Sequence, residues 1–115
     1  MVMIGFTIIP INIGRLEDNV GEDNSKHFRI FKGKHYVDFG ILDGEISAYI
    51  WGCPHEGRIF LKALEQYAKK NNLKLTIPTV LSPRLEHILE DNGYTKKEVP
   101  YLGDICELWS KDAKP

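Results

Sequence analysis

Residues 45–80 read EISAYIWGCPHEGRIFLKALEQYAKKNNLKLTIPTV, and the succession of patterns within them decides the fold. Residues 45–51 alternate along their length with a β-branched and aromatic bias, the two-residue period of a half-buried strand. By that alternation Tyr49 and Trp51 share one face, and Ile46, Ala48 and Ile50 the other. Over residues 57–72 the period changes: Ile59, Phe60, Ala63, Leu64, Tyr67 and Ala68 recur on one helical face. Arg58, Lys62, Glu65, Gln66, Lys69 and Lys70 take the other face, and Asn71-Asn72 ends the helix. Residues 73–81 are mostly apolar, which predicts a strand buried on both faces with Pro78 at an edge, bulge or break. A strand, a helix and a strand in that order form a crossover, so the two strands are expected side by side and parallel.

Upstream, residues 35–42 (HYVDFGIL) run into residues 45–51 through Asp43-Gly44, the strongest short-range hairpin signal a sequence offers. Residues 28–31 (FRIF) predict a further strand and residues 5–9 (GFTII) a first one ending at Pro10. Between them residues 12–26 are polar and rich in Gly, Asn and Asp, a loop with at most a helical turn at 15–20. Downstream, Ser82-Pro83 opens a second helix with a capping hydroxyl, a proline at the first helical position and Glu86 in the first turn. It runs through Leu85, Ile88 and Leu89 to Asn92-Gly93, a left-handed stop. Two closing strands follow, at 94–99 and 105–110. The order is β, loop, β-β-β, α, β, α, β-β in one domain, an α/β (α+β) protein with a central mixed β-sheet flanked by helices.

Composition narrows function by exclusion. The 115 residues carry 15 Lys and Arg against 16 Asp and Glu, which leaves no basic footprint for nucleic acid. No apolar run reaches the length a membrane span needs, and the apolar start reads as a strand because it lacks a basic leader and cleavage site. Cys53 and Cys106 lack metal-ligand spacing and read as free thiols of a cytoplasmic protein, with a Cys53–Cys106 disulfide the alternative that nothing in the sequence requires; no metal site is expected. His27, His35 and His87 stand without a metal-binding pattern. His55-Glu56 are neighbours in a polar loop, where adjacent side chains rarely face one another.

KALEQYAKKNNLKLTI (62–77) and SPRLEHILEDNGY (82–94), in this element order, resemble the GNAT superfamily of N-acetyltransferases. The similarity spans residues 38–109. It implies a cleft between the two central parallel strands that takes acetyl-CoA. Backbone amides of His55, Glu56, Gly57, Arg58 and Ile59, aided by the Arg58 side chain, would hold the coenzyme A pyrophosphate. Backbone N–H groups of Tyr49, Ile50 and Trp51 would receive the acyl carbonyl, and Glu45 or a water would take the proton of the acceptor amine. The chain departs from the family pattern at two places that the chemistry uses. In the family's Gly-rich loop only Gly57 fits, since Gly52 stands at the Gln/Arg position, His55 at the first glycine, and Glu56 adds negative charge. Leu89 stands where the family has a tyrosine that protonates the leaving thiolate, a general acid worth ~10²–10⁴ in rate. The alternative implied is a GNAT-like scaffold without catalysis that binds a protein partner, as compact GNAT-like proteins of tailed-phage heads and virions do.

Overall fold

The computed structural model describes residues 5–11, 26–78, 80, 82–101 and 103–111. Along the chain run β1 (Thr7–Pro10), β2 (Lys26–Lys32), β3 (His35–Leu42), β4 (Glu45–Gly52), α1 (Gly57–Lys70), β5 (Lys74–Pro78), α2 (Pro83–Asp91), β6 (Thr95–Tyr101) and β7 (Asp104–Ser110). The helical turn expected at 15–20 lies outside the described residues. All seven strands join one mixed sheet in the order β1-β2-β3-β4-β5-β7-β6. β4 and β5 are parallel, and every other neighbouring pair is antiparallel.

The β3–β4 hairpin turns on Asp43 and Gly44, both at positive φ (51° and 80°), the geometry that matches the twist of the flanking strands. Ser82 caps α2 by accepting the Leu85 N–H at 3.3 Å, with Pro83 behind it, and Gly93 takes a φ of 88° beyond the helix end. The strand ends differ from expectation. Gly5 has a φ of 86° and stays outside β1, while Pro10, with no N–H to lose, is the last residue of that edge strand. β5 stops at Pro78, and β6 continues through Pro100 to Tyr101 because it too is an edge and needs no donor there.

Each crossover, β4–α1–β5 and β5–α2–β6, joins strands pointing the same way, so right-handed connection brings both helices to one face of the sheet. That face carries the core: Ile30, Val37, Phe39, Ile46, Ala48, Ile77 and Trp109 from the strands, and Phe60, Leu61, Leu64, Ile88 and Leu89 from the helices. Two sequence expectations are corrected here. Leu61 is buried and Ile59 is 45% exposed, so the buried stripe of α1 takes in the Leu61 margin of the pattern and leaves out the Ile59 one. The alternation in β4 also breaks. The register jumps between Asp38/Phe39, so that Asp38 faces Ile50 and Phe39 faces Ala48. Tyr49 is the extra residue of a β-bulge. Beyond it the faces exchange: Trp51 packs against the core and Ile50 is exposed, so Tyr49 and Trp51 do not share a face.

Candidate functional site

β4 and β5 are bonded only from Glu45↔Lys74 to Ser47↔Thr76, although β4 continues to Gly52 and β5 to Pro78. The two strands part just before the bulge, and a crevice opens beyond their carboxyl ends, the usual place for a ligand in a sheet with parallel strands. Residues 53–56 and the first turns of α1 and α2 border it. The loop is held by the Glu56 N–H donating to Cys53 O at 2.9 Å. Glu56 caps α1 by position, yet its side chain makes no cap bond, and the first turn of α1 holds no acidic residue. The amides of Gly57, Arg58 and Ile59 thus begin a helix without intrahelical acceptors.

A groove of about 280 Å³ follows, lined by His55, Glu56, Gly57, Arg58, Ile59, Arg84, His87 and Ile88. An adjoining hollow of about 170 Å³ reaches inward to Trp51, Cys53 and Leu85. Four basic side chains therefore converge in the groove, with Glu56 in its lining and Asp91 beside two of them. Arg84 reaches across from α2, its Nη1 2.6 Å from His55 Nδ1. Arg58 Nη2 lies 3.2 Å from Asp91 Oδ2, which His87 Nε2 approaches at 3.4 Å. Burial, and then the charge of Glu56, push the Cys53 thiol up to about 11, so at neutral pH it stands protonated in the wall of the hollow.

Of the residues expected at the site, His55, Glu56, Gly57, Arg58 and Ile59 do come together, and Trp51 joins them from the inner end. Trp51 Nε1 donates to Ala48 O at 3.2 Å, so the indole lies back along its own strand. Tyr49 and Ile50 turn to the sheet face away from the helices, where the Tyr49 hydroxyl bonds His27 Nδ1 at 2.9 Å. Burial, with Asp38 adding to it against Arg29, raises the Tyr49 phenol. Glu45 is exposed beside the Asp43-Gly44 turn, at the opposite end of β4 from the groove, a separation of about 23 Å for seven residue steps. Its carboxylate does not meet the other candidates.

Two glycines have steric partners. A β-carbon on Gly57 would stand 3.1 Å from Ile88 Cδ1, and one on Gly52 2.5 Å from the Tyr36 ring. Gly57 thus lets α2 approach α1, independently of any ligand. Arg84 and His87 are the basic lining residues that the sequence reading missed. A signal existed: Arg58 and Arg84 each occupy the second position of a helix, where the dipole favours anions over cations. Among the described residues no cluster of metal-ligating side chains occurs, and no helix is long and apolar enough to cross a membrane. The sequence matches no known protein family and no curated protein.

Proposed function

We propose that the chain is a compact, divergent GNAT-like protein whose groove takes the pyrophosphate of an acyl-coenzyme A, acetyl-CoA in the family's usual chemistry. The observation that carries this reading is the convergence of His55, Arg58, Arg84 and His87 at the starts of two helices, beyond the parting of the parallel strands β4 and β5. Free amides and guanidinium groups suit a phosphate-type anion in charge and in hydrogen-bond polarity. The groove fits less well on one side, because Glu56 opposes an anion and Arg58 is already turned to Asp91. Acyl-CoA would bring the activated thioester, and transfer to an amine is the matching reaction class.

A second reading, a GNAT-like scaffold that binds a protein partner without catalysis, is favoured by Leu89. It stands at the family's proton-donating tyrosine and is fully buried, so neither its chemistry nor its position serves the leaving thiolate. Titration of the protein with acetyl-CoA, followed by thermal shift and by product analysis with a panel of amines, separates the readings. At 100 times its Kd the ligand stabilises the native state by about 2.7 kcal/mol. Binding that weakens in Arg84→Ala and strengthens in Glu56→Gln supports the groove. Binding without transfer favours the scaffold, and no shift at millimolar acetyl-CoA overturns the coenzyme A reading.

A further inference from the structure

The His55–Arg84 contact ties the loop before α1 to the first turn of α2 across the groove. A guanidinium carries only donors and keeps its proton at any working pH, so His55 Nδ1 is the acceptor. The imidazole in this arrangement is therefore neutral, with its proton on Nε2. Both side chains are exposed at their outer ends, so water can take over from either one when they separate.

We propose that this pair is a proton-released latch: protonation of His55 parts it from Arg84 and turns the groove toward multiply charged anions of the sulfate and phosphate type. The inference deepens the anion-groove reading above and rests on it. A proton on Nδ1 sets two cationic donors 2.6 Å apart, a contact that has no attractive component. The pair separates, the Arg84 guanidinium is freed for a ligand, and the ring adds a second positive charge to the same wall. The charged groups around His55 set the balance. Glu56 lies on the same loop. Arg58 from α1, and Arg84 and His87 from α2, share the groove wall with it, and Asp91 lies 3.2 Å from Arg58 and 3.4 Å from His87. Proton and anion consequently assist one another, and by linkage the assistance is reciprocal.

Sulfate is a suitable probe, because its charge is constant over the range in which histidine side chains change theirs. Nuclear magnetic resonance titrations at fixed ionic strength, at about pH 8 and about pH 5.5, read binding and the His55 ring nitrogens together. Sulfate affinity is expected to rise roughly tenfold between the two conditions, a change the size of one added charge-assisted contact. In His55→Gln the amide oxygen still accepts from Arg84 but takes no proton, so most of the rise disappears while the fold is retained. An unchanged slope in His55→Gln, or a His55 Nδ1 that stays unprotonated at both conditions, overturns the latch. A ring that protonates while sulfate binds under neither condition overturns the anion groove, and the coupling with it, by a result distinct from failure of the latch alone.

Discussion

Tyr36 and Gly52 face one another across β3 and β4, and the ring lies where a second side chain would begin. The Arg29 guanidinium stacks on that ring 4.0 Å from its centre while its Nε and Nη2 bond the buried Asp38 at 2.7 and 3.0 Å. The ring is thus fixed from above by an arginine that is itself fixed, and it has little freedom to yield to a β-carbon 2.5 Å away. Gly52→Ala is expected to destabilise the protein by about 1–3 kcal/mol, the usual cost of overpacking, in urea denaturation. In a Tyr36→Leu background the same change is expected to cost less, and equal costs in both backgrounds would show that the ring is not the obstacle. The sequence gives no warning of this. A glycine beside a polar loop looks like loop chemistry, and its actual partner is sixteen positions upstream, met only when the strands pair.

At the scale of elements, α1 shows what periodicity conveys and what it leaves open. The apolar stripe identifies a helix and one buried side, but Ile59 and Leu61 sit at the two margins of that stripe and the pattern alone does not choose between them. Packing chooses Leu61, 1% exposed, and leaves Ile59 on the groove. Leu61→Ala and Leu64→Ala are each expected to cost about 2–5 kcal/mol by cavity formation. Ile59→Ala is expected to stay within about 0.5 kcal/mol, as for an exposed site, and a large loss there would return Ile59 to the core. Strand and helix order, the Asp43-Gly44 turn, the Ser82 cap and the parallel β4–β5 pair were legible because each rests on local residues or on chain handedness. The bulge at Tyr49 was not. A bulge adds one residue without altering the alternation of types around it, so Ile50 reads as core until the ladder with β3 is known. The same holds for Arg84, whose place at the groove comes from the second crossover rather than from its neighbours.

On the scale of the whole molecule, two acids are buried in the core, and both prefer to stay protonated. Tyr94, just ahead of β6, donates its hydroxyl to Glu65 of α1 at 2.6 Å; burial first, and that bond second, raise the phenol. Cys53 stands behind the groove with its thiol raised from 9.0 to about 11 by burial and by Glu56. A group whose folded value lies above its unfolded one holds its proton more tightly in the native state. Its stabilising effect is complete below the unfolded value and is lost as pH rises through the folded one. For the thiol that window opens near 9 and closes near 11, and for the phenol it lies higher. The urea midpoint is accordingly expected to be level near about pH 8 and to fall progressively above about pH 9, the direction set by the unfolded chain releasing protons first. Cys53→Ala removes the earlier part of that fall because no thiol remains to titrate, and Tyr94→Phe removes the later part. If Cys53→Ala declines in parallel with the parent between 9 and 11, the thiol is not the group responsible and its burial behind the groove carries no alkaline sensitivity.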